Sequence, residues 1–370
     1  MPGLGSTIAR LKSLKIELPA NVAVSRLSKL TNFGANPGSL AAHFYVPDDL
    51  PVGAPLVVVL HGCTQNAAGY DYAAGWSRAA DEFGFALLFP EQQRANNPNL
   101  CFNWFSPSDT QRGHGETESI REMIRTMGAR FKLDGQRVFI TGLSAGGAMT
   151  AVMLATYPEI FSAGAVIAGL PFGVAHSVPQ ALERMRGQGL ASASELTSLV
   201  KAASAGAERW PRLAVWHGTV DQTVHPSNGQ ALVDQWRGLM SLPAEPTRRD
   251  RINGHLRCVW DGPDGQPFIE HVAVSGLAHG TPLSSLDANS HEHATAHMLE
   301  AGVSSTQHIL ASWGLKKERR LGSEPSLATA RLKPTIGLTG RRVPSSHRPE
   351  VASPITRTIE SALRKAGLLR

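Results

Sequence analysis

Residues 137–157 read RVFITGLSAGGAMTAVMLATY, and this stretch limits the fold more than any other. Val138, Phe139 and Ile140 are β-branched or aromatic and uncharged, which predicts a buried strand over 137–141. Met149, Val152, Met153 and Leu154 recur at helical spacing, which predicts a helix over 146–157. Between them stands Gly142-Leu143-Ser144-Ala145-Gly146, followed by Gly147. This is G-x-S-x-G at a strand-to-helix junction, the context a nucleophile elbow requires. The glycines let strand and helix approach without Cβ clashes, so the serine can occupy a strained turn. Its Oγ then stands above the amino end of the helix, and the Ala145 amide can help hold a developing oxyanion. The blander alternative is a glycine-rich turn with an exposed serine. The buried strand before it and the apolar helix after it argue for the elbow.

Other buried strands are expected at 56–60 (LVVVL), 85–89 (FALLF), 164–168 and 213–217 (LAVWH), with amphipathic helices between them at 70–83, 116–131 and 228–240. A further strand is expected at 39–47, a late hairpin at 258–260 and 268–274, and a last helix at about 304–313. Alternation of this kind predicts a doubly wound, mostly parallel α/β sheet. Residues 172–209 are Ala/Ser-rich and helical in character. They interrupt the alternation and are expected to form a small helical cap insertion. Residues 91–114 form a long loop rich in Asn, Pro and aromatics, and loops of that length in compact domains usually have a function.

A serine hydroxyl needs a general base, and the base needs an orienting carboxylate. In an elbow fold both follow the serine in the chain, each in a loop after a strand. Asp221 lies just beyond the strand 213–217 and its Gly turn, where such sheets place ligand chemistry. Asp234 falls inside a predicted helix, and Asp261 and Asp264 begin Asp-Gly turns. His279 follows the strand 269–274 in a glycine-bounded loop that ends at Pro282. Of the fourteen histidines, it alone combines that order, a preceding strand and that loop. A second oxyanion donor is expected after the early strand LVVVL, where Gly62 allows close approach and the amide of Cys63 is the donor. His61 is expected to brace that loop through a side-chain hydrogen bond.

These motifs together resemble the polyhydroxybutyrate depolymerase-type esterases, a family that shades into feruloyl and acetylxylan esterases. The matching pieces are Leu60-His61-Gly62-Cys63-Thr64-Gln65, Cys101-Phe102-Asn103-Trp104-Phe105, Gly142 to Gly147, His217-Gly218-x-x-Asp221, Gly276-Leu277-Ala278-His279-Gly280 and the closing run 298–315. The resemblance covers about residues 28–315. It implies an α/β-hydrolase fold that hydrolyses carboxylic esters through an acyl-enzyme. Ser144, Asp221 and His279 would be the triad, and Cys63 and Ala145 the oxyanion donors. It also implies a Cys63–Cys101 pair, bonded or reduced, and a substrate cleft lined by Trp104 and Phe105. Poly- or oligo-(3-hydroxyalkanoate) esters are the expected substrates, with feruloyl or acetylated carbohydrate esters as the alternative. No cofactor is required.

The net charge of +6 belongs to the chain's end: residues 316–370 hold thirteen Lys/Arg against four Asp/Glu. With few aromatics, they read as a disordered basic tail that could localise the protein to an anionic or granule surface. Nucleic acid is not an expected partner. Residues 1–27 are irregular, which leaves 28–315 as the catalytic domain. The first twenty residues lack the apolar stretch of a secretory signal, so the chain is expected to be cytoplasmic or to leave by another route, although the family it resembles is often extracellular. No apolar run reaches membrane-span length. His291, His293 and His297 cluster in HEHATAH, but the i, i+2, i+6 spacing lines no single helix face. A solvated polar segment is expected there, and no metal site.

Overall fold

A computed structural model describes residues 25–204, 206–288 and 290–316. The basic tail and most of the N-terminal segment lie outside the described residues.

Twelve strands occur among the described residues: β1 (Ser28–Lys29), β2 (Ala41–Tyr45), β3 (Leu56–Leu60), β4 (Ala86–Glu91), β5 (Val138–Leu143), β6 (Ala163–Ile167), β7 (Arg212–Gly218), β8 (Arg248–Ile252), β9 (His255–Asp261), β10 (Pro267–Val274), β11 (Thr281–Leu283) and β12 (Met298–Glu300). The described helices are α1 (Ala67–Ala74), α2 (Trp76–Phe83), α3 (Gly115–Phe131), α4 (Ala145–Thr156), α5 (Val178–Met185), α6 (Ala193–Ala203), α7 (Ser227–Arg237) and α8 (Ser305–Ser312).

Ten strands form one sheet in the order β1-β2-β4-β3-β5-β6-β7-β10-β9-β8. The six strands from β4 to β10 in that order pair in parallel. The outer strands on both sides pair antiparallel. Alternation along β3 divides the core. Leu56, Val58 and Leu60 face the layer that holds α3, α4 and α7. Val57 and Val59 face α1, α2 and α8. A strand buried on both faces must be apolar throughout, which is why LVVVL reads as an unbroken run.

Three local expectations are corrected. The helix expected over 70–83 is two helices, because Gly75 takes a left-handed φ of 68° and ends α1 while its amide donates to Asp71 O. The late hairpin gains an edge strand, β8, whose RRDRI sequence faces solvent and carries no apolar alternation. The closing run 298–315 holds a strand ahead of the expected last helix: Met298–Glu300 pairs with Thr281–Leu283 in a separate two-stranded sheet before α8 begins.

The 172–209 insertion contains α5 and α6. Thr197 Oγ1 in α6 donates to Gln235 O in α7, and Gln235 Nε2 donates to Leu196 O, fixing α6 against α7. The end of α5 is tied to the loop after β7 and to the first turn of α7, since His225 N donates to Met185 O and Asn228 Nδ2 donates to Arg184 O.

Candidate active site

β5 runs straight into α4 through Ser144, which adopts φ 56° and ψ −116°. This backbone is costly for a residue with a Cβ, and it turns the side chain out of the strand-helix line. The close approach needs Gly146: a Cβ there would lie 2.4 Å from Leu60 O and 2.5 Å from His61 O. Ser144 N donates to Ile167 O at 2.9 Å, which ties the turn to the end of β6.

Asp221 and His279 follow the ends of β7 and β10, the two parallel strands that lie beyond β6 in the sheet. β7 and β10 are neighbours in register, with Ala273 opposite His217 and Val274 opposite Gly218. Their following loops therefore rise side by side, and Val220 N donates to Leu277 O. His279 Nε2 lies 2.9 Å from Ser144 Oγ, and its Nδ1 lies 2.7 Å from Asp221 Oδ2. A carboxylate only accepts, so Nδ1 carries the proton and the Nε2 lone pair faces the serine hydroxyl. The second Asp221 oxygen accepts the Thr223 and Val224 amides at 2.8 and 2.9 Å. Burial works to raise the Asp221 carboxyl, but the His279 ring and those amides outweigh it and hold it below the usual carboxylate value. Asp221 is 2% exposed, whereas Ser144 and His279 each keep 9%.

The amides of Cys63 and Ala145 have no hydrogen-bond acceptor among the described residues. Cys63 is bonded to Cys101, which joins the loop after β3 to the aromatic loop. His61 braces this loop: its Nδ1 donates to Gly62 O at 2.8 Å, and its Nε2 accepts from Gln92 N at 3.1 Å. Burial pushes its pKa down, in keeping with a neutral ring. Trp104 stands edge-on to Phe105 and helps line a cavity of about 350 Å³ with Phe172, Ala175 and Leu199. Phe105 is half-buried and packs against the core.

Four residues of this region carried no sequence expectation of a site role. His217 lies behind the acid, with Nε2 donating to Val224 O at 2.9 Å and 3.6 Å from Asp221 Oδ2. Its place in His-Gly-x-x-Asp, four residues before Asp221, was the available signal. His297, expected in a solvated polar segment, is instead half-buried and donates from Nδ1 to His279 O at 3.2 Å. Its ring lies edge-on to that of His279, at 5.8 Å. His293 goes elsewhere and stacks on Tyr72, while His291 is exposed. Gln92 and Glu116 join the loop after β3 to the aromatic loop, and nothing in their spacing marks them.

Comparison with known proteins decides the family. Residues 40–251 match the model of the esterase family described as "Esterase PHB depolymerase". The chain belongs to that family. Poly(3-hydroxyalkanoate) depolymerase C of Paucimonas lemoignei is 39% identical over 317 residues, covering 84% of this chain and 76% of that protein. Feruloyl esterase B of Talaromyces stipitatus is 31% identical over 274 residues, covering 72% and 75%. The acetyl xylan esterase structure from Aspergillus awamori superposes with a TM-score of 0.66 at 24% identity, over 78% of this chain and 99% of that one. This likeness establishes the α/β-hydrolase fold. As a member of the PHB depolymerase esterase family, the protein is an esterase.

Proposed function

We propose that Ser144 is the nucleophile, His279 the general base and Asp221 the residue that orients it. The observation that carries this reading is the pair of hydrogen bonds that link the three side chains in series. His279 Nε2 takes the hydroxyl proton as Ser144 Oγ attacks the ester carbonyl. Asp221 keeps the imidazole in the tautomer that can accept it and stabilises the imidazolium that forms. The Cys63 and Ala145 amides receive the oxyanion, and one such donor is typically worth about 3–4 kcal/mol. The alcohol leaves with the proton from His279. Water then attacks the acyl-enzyme with the same base, and Ser144 is regenerated.

For substrate, we infer esters of 3-hydroxyalkanoic acids, as polymer or oligomer. The 39% identity to a poly(3-hydroxyalkanoate) depolymerase over most of both chains supports this choice. We read Trp104 as an apolar wall for a chain of methyl- or ethyl-bearing repeats; the cavity it lines with Phe172, Ala175 and Leu199 includes none of the three triad residues. The 172–209 insertion is read as a cap beside the cleft, supported by the ties from α5 to the Asp221 loop and the first turn of α7. The feruloyl esterase relative, and acetylxylan esterase A of Emericella nidulans at 30% identity over 269 residues, support a second reading, a feruloyl or acetylated carbohydrate ester. A panel of hydroxybutyrate oligomers, methyl ferulate and acetylated xylan tests the choice. Higher kcat/KM on the oligomers is expected, and preference for methyl ferulate or acetylated xylan would replace this reading with the second.

A further inference from the structure

Glu116 lies in the first turn of α3, fully buried, and makes no ion pair among the described residues. A carboxyl so placed is costly unless its oxygens are satisfied. Three donors satisfy it. Gln92 Nε2 reaches Oε1 at 2.6 Å, Asn96 Nδ2 reaches Oε1 at 3.3 Å, and the Asn103 amide reaches Oε2 at 2.9 Å. Two of these donors, Asn103 and Gln92, lead towards the site. Asn103 precedes Trp104 in the aromatic loop. The Gln92 side chain also donates to Cys101 O at 3.0 Å, beside the disulfide. The Gln92 backbone amide donates to His61 Nε2, and His61 Nδ1 donates to Gly62 O.

The last step bears on chemistry. Gly62 O and the Cys63 N–H belong to one peptide plane. The peptide is trans, so the two point in opposite directions. A donor held on the carbonyl therefore fixes where the amide aims and polarises it towards its acceptor. A donor 1 Å out of place loses much of its value to an oxyanion.

We propose that Glu116 is a positioning residue of the esterase reaction, a buried carboxyl that aims the Cys63 amide through Gln92 and His61 and holds the aromatic loop through Asn103. This rests on the reading of Cys63 as an oxyanion donor. It predicts that damage at Glu116 appears in transition-state binding and not in ground-state binding.

The test uses the full chain with Glu116→Gln, Gln92→Met and the exchanged pair Gln92→Glu/Glu116→Gln. Glu116→Gln sets an amide nitrogen against one of the donors. Gln92→Met cuts the same link nearer the loop and serves if the first variant does not fold. The exchanged pair restores a donor facing an acceptor between the two positions. Active sites are counted by a fluorophosphonate burst. Then kcat and KM on p-nitrophenyl butyrate are measured, with Ki for butylboronic acid, a tetrahedral anion mimic. Each single variant should lose kcat about tenfold or more, with KM within about twofold and boronate affinity falling in parallel. The exchanged pair should regain part of both losses. Wild-type kcat per titrated site in a folded single variant would overturn the role of Glu116. Lost kcat with unchanged boronate affinity would instead overturn the reading of Cys63 as the donor.

Discussion

His279 Nδ1 stands 2.7 Å from Asp221 Oδ2, although the residues are 58 positions apart in the chain. Parallel pairing of β7 with β10 creates this contact, because it sets the two following loops beside each other. Asp221→Asn tests what the contact does. The Thr223 and Val224 amides can still bond an Asn carbonyl oxygen, so the loop should keep its shape. The amide NH₂ would then favour a tautomer with the proton on Nε2, facing Ser144. A fall in kcat of about 10⁴-fold with a normal melting temperature is expected. A loss under tenfold would mean that the carboxylate does not set the tautomer.

Much of this arrangement is legible in the sequence, for identifiable reasons. The elbow announces itself because only small residues fit where Gly142 and Gly146 stand, and because a strand buried on both faces leaves an apolar run. Asp221 and His279 are legible through chain order and strand ends. The break at Gly75 was hidden because the apolar face continues from Tyr70 to Ala80 across it. The edge strand β8 was hidden because it faces solvent. His297 was hidden because its role comes from the β11–β12 pairing, a contact between segments that carry no strand signal of their own. Thr281 N donates to His297 O at 2.8 Å, and this brings residue 297 against residue 279. Gln92 and Glu116 sit 24 positions apart, and no local pattern joins them.

Gly146 allows a second check on the elbow. A Cβ at this position meets two backbone oxygens of the β3 end, neither of which can rotate away. Gly146→Ala should cost about 3 kcal/mol or more, or prevent folding, measured by urea denaturation. A variant within about 0.5 kcal/mol of wild type would show that the helix does not approach β3 so closely.

The Cys63–Cys101 bond closes a loop of 38 residues. Cys101→Ser should lower stability by about 2–5 kcal/mol, read from denaturant midpoints under oxidising conditions. Thr64 N still bonds Asn99 O at 2.8 Å, so the loop after β3, which the proposal reads as the oxyanion loop, keeps a second tie. Where the variant is folded, kcat should therefore fall by less than about tenfold. A complete loss of turnover in folded protein would show that the bond itself holds the donor in place.

Burial pushes the Glu116 carboxyl up to about 8, against an ordinary value of 4.5. The unfolded chain therefore releases this proton near its ordinary value, whereas the folded protein keeps it until about pH 8. Across that interval the folded state binds more protons, so this group's contribution makes stability fall as pH rises. Denaturation of wild type and Glu116→Gln at pH 5 and pH 8, which span most of the window, isolates it. Wild type should lose more stability than the variant between the two. Parallel losses would show that the carboxyl titrates as it does in the unfolded chain.

Ser144→Ala tests the central claim most directly. With p-nitrophenyl butyrate as substrate, kcat should fall by at least about 10⁴-fold, with the circular dichroism spectrum and melting temperature unchanged. Turnover within tenfold of wild type in the folded variant would contradict the assignment of residue 144 as nucleophile, and with it the mechanism built on His279 and Asp221.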